Sequence, residues 1–369
     1  MKIESTKEII LEIVTLASRF TSNKIATAPT LQGVYLTSKK KTGEENMLHI
    51  YASDLSSFFH TKIKTSIEGE VDIVIEPKKI IEFVGLLEPG PIILELKEKT
   101  LTVAQGKKKG AFSLMPAADF PVPPIIEEKE QMVKVAFLAK YLPLVLFSAS
   151  TDEARPVLTG INFVTGEADM MMVSTDGFRL TIVKTKKEID VPSIIIPGGF
   201  LSEILQAVKG EKEIGFSYSS KEKLVRVRSG PHEFFSRLID GEFPPYERVL
   251  PVEKKSEAIV DTNEIVRNIK LISVFAREYS NIVLLELKKD ELVCRPKVEG
   301  ASENVAQTEI ELKGDEQTIA FNYRFLLDFL NHSESKRTII EVLRPDAPVV
   351  FKMEGNTDFL HIIMPVRIQ

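Results

Sequence analysis

The stretch FSLMPAADFP, residues 112–121, is echoed by FSRLIDGEFP, residues 235–244, so that Phe-Ser and Phe-Pro both recur after 123 positions. A repeat of this period constrains a chain more than its composition does, because each copy must be a folding unit in its own right. Three such units divide 369 residues evenly, and each is of ordinary domain size.

The rest of the chain supports the division. An apolar strand running into a helix start occurs as VDIVIEPKKIIEFVGLL, PSIIIPGGFLSEILQAV and QTIAFNYRFLLDFLN. Aligned on Pro77, Pro197 and Asn322, these segments superpose Ile80, Phe200 and Phe325, then Ile81, Leu201 and Leu326, then Val84, Ile204 and Phe329. Apolar residues three, four and seven positions on form the buried face of a short helix. Pro is tolerated in the first turn, where its missing N–H has no partner to lose. A longer helix opens each unit in TKEIILEIVTLASRF, FLAKYLPLVLFSAS and DTNEIVRNIKLISVFAR, the last with Asp261 and Thr262 as candidate caps. Pro143 is expected to kink the second of these near Ala139. The predicted helices cover 7–20, 77–88, 134–149, 197–209, 261–277 and 322–332.

Strands LQGVYLTS, LTGINFVTG and NIVLLELKK follow the opening helices, and a turn with an acid follows them at Asp54, Asp176 and Glu299. Each unit closes on FSLM, FSRLI or LHIIMP. The fold class is therefore α+β, three tandem repeats rich in short antiparallel strands, rather than an alternating parallel α/β chain. The expected domains are 1–126, 127–253 and 254–369, with boundaries in the linker-like FPVPPIIEEKE and VLPVEKKSE.

Signals for chemistry are sparse. His49, His60, His232, His332 and His361 show no metal-ligand spacing and read as surface or strand residues. GKKKG at 106–110 lacks the phosphate-loop pattern and reads as a β-turn. Asp176-Gly177 reads as turn chemistry. The single Cys294 has no disulfide partner in the chain and reads as strand packing, which makes a reducing cytoplasm the expected compartment. The N-terminus lacks a signal-peptide pattern, and VAFLAKYLPLVLF is interrupted by Lys140 and Pro143 and too short to span a bilayer. No metal, cofactor or membrane is expected.

A net charge of −5 argues against a protein coated all over by nucleic acid. Over the six predicted helices, however, eleven basic residues face eight acidic ones, leaving +3 on the helices and −8 elsewhere. A polyanion held against a helical face fits that split; a chance division of the charges fits it too.

The segments PAADFP, STDGFRL, DGEFPPYERVLP, IAFNYRFLLDFL and MPVRI resemble the beta subunit of bacterial DNA polymerase III, the beta sliding clamp family, and the likeness runs over essentially the whole chain. The resemblance implies DNA-clamp domains with antiparallel sheets outside and two helices per domain inside. It also implies a head-to-tail homodimeric ring around double-stranded DNA, without catalytic activity. The ring seam would join Phe112 and Leu114 to Val274 and Phe275. Lys24, Lys78, Lys79, Lys140, Lys209, Arg267 and Lys270 would face DNA without reading its sequence. A pocket for short peptides would be made by Arg155, Leu158, Thr175, Gly177, Phe178, Arg179, Leu180, Pro244, Arg248 and Val249, with Asn322, Phe325, Ile362, Met364, Pro365, Val366 and Arg367. Its implied partners are the DNA polymerase III alpha subunit, the clamp loader delta subunit, and other polymerases and repair proteins that carry the motif.

The chain departs from the family in places. Phe178 stands where His is frequent, Phe325 where Tyr is frequent, and Gly198-Gly199 where a basic pair is found. Two other classes remain open on the residues alone: an enzyme using Asp176 and Arg179 at a domain junction, and a protein-only scaffold.

Overall fold

The repeat inferred from the sequence is the organising feature of the molecule, a computed structural model describing residues 1–22, 28–38, 47–278, 280–297 and 303–367. Lys24 and Glu299 lie outside the described residues. The helices are α1 (Lys7–Ser18), α2 (Pro77–Gly85), α3 (Val135–Leu146), α4 (Gly198–Ala207), α5 (Thr262–Ala276) and α6 (Tyr323–His332). Each lies within a predicted span and falls short of it at one end or both. Thr6 and Asp261 cap α1 and α5, their side-chain oxygens accepting from the N–H of Ile9 and Glu264. Helix α3 is continuous through Pro143, which falls in its last turn.

Each repeat begins one element earlier than the sequence suggested. A strand precedes every opening helix: Lys2–Thr6, Gln131–Lys134 and Ser256–Asp261. In the first of these only Ile3 is buried, so no periodic signal marks it; pairing with Pro91–Lys97, Ile3 opposite Leu94, makes it a strand. The order is then strand, helix, strands, helix and three strands, three times over. The α+β class with three tandem repeats holds.

The chain forms two compact units, Met1–Val135 with Glu203–Leu238 and Ala136–Ser202 with Ile239–Gln369. The first is built on a 13-stranded antiparallel sheet, the second on a 12-stranded one. The strands of the second repeat are shared between them. His232–Arg237 pairs with Ser57–Lys64 in the first sheet, Phe235 opposite Phe58. Arg179–Lys186 pairs with Phe359–Ile363 in the second, Leu180 opposite Ile362.

Alternation and tight turns set the strands. Ile92, Leu94 and Leu96 point into the first unit from one face of Pro91–Lys97, and Leu101 and Val103 do so from the next strand. The turn into Lys108–Met115 is made at Gly106, at φ 57°, as GKKKG requires. Phe20, Phe59 and Phe234 stack in the first core, and Phe321, Phe329, Phe351 and Phe359 fill the second. Cys294 is buried on its strand, and burial pushes its thiol up to about 12.

The predicted helix face needs correction in two places, the first being Ile81 on α2, half-buried where Leu201 and Leu326 are buried. Ile80 and Phe200 are buried, but Phe325, their counterpart on α6, is only half-buried, and burial there shifts to Leu326, Phe329 and Leu330. The side chain freed from the core stands at the site described next.

Candidate functional site

A tight turn builds one wall. Asp176 Oδ1 accepts from the backbone N–H of Phe178 and Arg179 at 2.9 and 3.0 Å, and Thr175 Oγ1 accepts from Gly177 N at 3.1 Å. Gly177 lies at φ 92°, a conformation that strains any side chain. The turn holds Phe178 out, 58% exposed, where its ring stacks on Phe325 at 6.3 Å. Arg179 is drawn inward: Nε donates to Asp176 Oδ2 at 2.9 Å and Nη1 to Asp328 Oδ2 at 2.6 Å, with the guanidinium over the Phe325 ring at 4.7 Å. Its charge is thus matched internally and its role is to brace the aromatic wall. Asp176 and Arg179, the pair that the enzyme alternative invoked, are ion-paired to each other within this turn.

The opposite wall comes from the linker after the second repeat. Tyr246–Val249 is a turn of 3-10 helix, in which residues three apart eclipse, so Tyr246 and Val249 face the same way. Phe243, Tyr246 and Leu250 pack on the buried cluster Val173, Leu180, Ile182, Val350 and Ile362. Burial, with Glu247 beside it, raises the Tyr246 phenol above its ordinary range. The C-terminal strand is tied in where Met364 N donates to Phe178 O at 2.8 Å.

Between the walls lies a cavity of about 180 Å³, lined by Leu158, Thr175, Gly177, Phe178, Arg179, Leu180, Pro244, Pro245, Tyr246, Val249, Ile362 and Met364. All lie in the second unit. Such an apolar hollow suits the side chain of an extended peptide. Arg155, paired to Asp152 at 3.1 Å, lies beside Gly177. Arg248 and Arg367 are exposed, with no side-chain partner among the described residues. Asn322 caps α6 instead of lining the cavity, accepting from Arg324 N at 3.0 Å, and Pro365 and Val366 are half-buried beyond it. Pro245 and Tyr246 were missed by sequence reasoning; the spacing of Tyr246 to Val249 in a Pro-flanked segment was the available signal.

The remaining expected residues can be placed one by one. Phe112 and Leu114 are half-buried on Lys108–Met115, Phe112 against Phe83 at 5.6 Å. Val274 and Phe275 are 45% and 43% exposed on α5, and Leu271, not anticipated, completes an apolar stripe opposite its buried face. Lys78, Lys79, Lys140, Lys209, Arg267 and Lys270 are all exposed.

The histidines are less scattered than their spacing implied. Strand pairing brings His49 Nδ1 within 3.1 Å of His60 Nε2, and His60 Nδ1 within 2.9 Å of Glu233 Oε2. Among the described residues no group of His, Cys, Asp or Glu is arranged to hold a metal ion.

Behind the cavity wall, His361 is fully buried against Phe147 and Phe329, its Nδ1 sharing a hydrogen bond with Thr181 Oγ1 at 2.8 Å. Burial, reinforced by the nearby Arg179 charge, holds this imidazole well below its usual range and hence neutral. The unfolded chain takes up a proton near pH ~6.5 while the folded chain does not, so stability falls as pH drops below that value, by up to about 1.4 kcal/mol per pH unit. His361→Gln is expected to flatten the slope in urea titrations between pH about 6.5 and 5. His232, lowered by partial burial, acts in the same sense in both proteins and cancels in the comparison. An unchanged slope would mean that His361 is not its source.

Comparison with known proteins places this architecture. The DNA polymerase III beta subunit family matches along the chain: its N-terminal domain over residues 1–124, its central domain over 132–245 and its C-terminal domain over 247–367. The beta sliding clamps of Bacillus subtilis and Treponema pallidum are 27% and 26% identical, each alignment covering 100% of both chains. Among solved structures, the DNA polymerase III beta subunit of Thermotoga maritima superposes with a TM-score of 0.89 at 24% identity, over 100% of both chains. The sliding clamp of Bacillus subtilis gives 0.88 at 23%, again over 100% of both. No helix among the described residues is long and apolar enough to cross a membrane. With all three domain models matched in order along the repeat, the chain belongs to the DNA polymerase III beta subunit family, the beta sliding clamps.

Proposed function

We propose that this clamp works as half of a ring: two copies joined head to tail encircle duplex DNA, slide along it, and tether a replicative polymerase without catalysing any reaction. The observation that carries the reading is a pairing rule between repeats. The last strand of the second repeat pairs with the third strand after the opening helix of the first, and the last strand of the third repeat treats the second likewise. The strands left over are Lys108–Met115 in the first repeat and Ala306–Gly314 in the third. Among the described residues, 108–113 are paired along one edge only, and so are 306–309. Applied once more between copies, the rule joins these edges, removes two templates for aggregation, and closes the cycle.

Phe112 lies on one of those edges and Leu114, paired with Ile75, just past its end, while the exposed Val274 and Phe275 supply apolar area for the same seam. The exposed Lys and Arg of the helices provide weak, sequence-independent contacts to phosphate. Encirclement keeps the ring on DNA, so a net negative chain needs no tight site. The cavity beside Phe178 takes the apolar anchors of short peptide segments from the DNA polymerase III alpha subunit, the clamp loader delta subunit and other polymerases or repair proteins. The domain division that goes with this reading is 1–126, 127–253 and 254–369, and its setting is the cytoplasm.

Loaded on nicked circular DNA, the protein is expected to stay bound through a high-salt wash and to be lost once the circle is linearised. Light scattering is expected to give twice the chain mass. Equal retention on circle and line, or a stable monomer at micromolar concentration, would sink the ring.

A further inference from the structure

The pairing rule gives the chain two equivalent repeat junctions, and the second carries the apolar cavity. Asp54 turns the chain as Asp176 does, its Oδ1 accepting from the N–H of Ser56 and Ser57 at 2.9 and 2.6 Å. Phe58 then occupies the place of Leu180, and its cross-strand neighbour Phe235 the place of Ile362. The linkers correspond as well: Phe120-Pro121 matches Phe243-Pro244, which puts Ile126 at the position of Val249. Val249 is 43% exposed and borders an open hollow; Ile126 is 5% exposed, packed into one cluster with Phe58, Leu224 and Phe235.

We propose that the first junction is a second apolar side-chain site of the same origin, occupied by the chain's own Ile126, with residues 121–128 as a built-in ligand. This rests on the peptide reading of the open cavity. The segment is held as a bound peptide would be, by one apolar anchor and a few polar contacts. Arg226 Nη1 donates to the Ile126 carbonyl at 3.5 Å, and Ser219 Oγ donates to Glu128 Oε1 at 2.6 Å. Its neighbour Ile125 is 77% exposed, so the anchoring falls to one side chain. The polar neighbours differ from those of the open cavity: Tyr51, His60 and Arg226 stand where Val173, Ile182 and Val350 stand in the second unit. The vacated site would therefore take an apolar anchor flanked by polar residues.

The test is peptide stoichiometry on the full-length chain. A capped peptide carrying one Leu and one Phe is titrated calorimetrically into wild type and Ile126→Ala. One equivalent per chain is expected for the wild type and two for the variant, the second surviving Met364→Arg. A folded variant that still binds one equivalent overturns the proposal. Xenon-pressurised crystals of Ile126→Ala separate it from the function above: xenon beside Phe58 and Phe235 is expected even if the wild type binds no peptide, and a collapsed, xenon-free site overturns it. If Ile126→Ala does not fold, Glu128→Gln with Ser219→Ala loosens the segment and keeps its anchor. Protease cleavage within residues 121–128 should then be about tenfold faster, and faster still at millimolar peptide, which competes with Ile126 for its site; no effect of peptide overturns the proposal.

Discussion

Met364→Arg is expected to weaken binding of a Leu/Phe-anchored peptide by about a hundredfold or more, roughly 2.7 kcal/mol, while leaving the thermal unfolding of the protein almost unchanged. Met364 is 38% exposed at the mouth of the cavity, and its main chain, which donates to Phe178 O, is unaffected by the exchange. A guanidinium there can reach water in the free protein. In the complex it must either be buried against Leu158, Leu180, Val249 and Ile362 without a carboxylate or keep the anchor out. Fluorescence anisotropy with a labelled peptide measures the loss, and light scattering checks that the oligomer persists. Wild-type affinity in a folded variant would remove this cavity from peptide recognition.

Phe329→Ala is expected to destabilise the second unit by about 3–5 kcal/mol. Its ring is fully buried on α6, 5.6 Å from Phe351, 5.7 Å from Phe359 and 5.2 Å from His361, and these aromatics cannot collapse into the space it leaves. Phe325→Ala, one turn earlier on the same helix, makes the internal control. That ring is half-buried, with Phe178 and the Arg179 guanidinium against it, so about 1 kcal/mol or less is expected from stability and the greater loss from peptide affinity. Urea unfolding of both variants at constant m value decides the matter: equal costs would contradict the division of α6 into a core face and a site face.

The contrast between these two phenylalanines shows where sequence reading reached and where it stopped. Both fit the helical period, and that period placed α6 and every other helix within a few residues of its bounds. Nothing local distinguishes a ring that faces a core from a ring that faces a groove, because the difference lies in what stands across from it. Tyr246 was missed for the same reason, its partners Val173 and Ile182 being about seventy positions earlier. The strand Lys2–Thr6 was missed because its identity comes from the neighbour it pairs with rather than from its own alternation. His49 and His60 are neighbours through sheet register, which spacing along the chain does not reveal.

The residue order alone determined the threefold repeat, the α+β class, the turns at Gly106 and Asp176, and the positions of the helices, since each depends on interactions within a few residues. Tertiary structure decided which of two equivalent junctions is open. Ile126 and Val249 share one position in the repeat and nearly one chemistry, yet one is sealed beneath its neighbours and the other borders a hollow. Burial is set by the surface lying opposite a side chain, and for both residues that surface is made by strands distant in sequence.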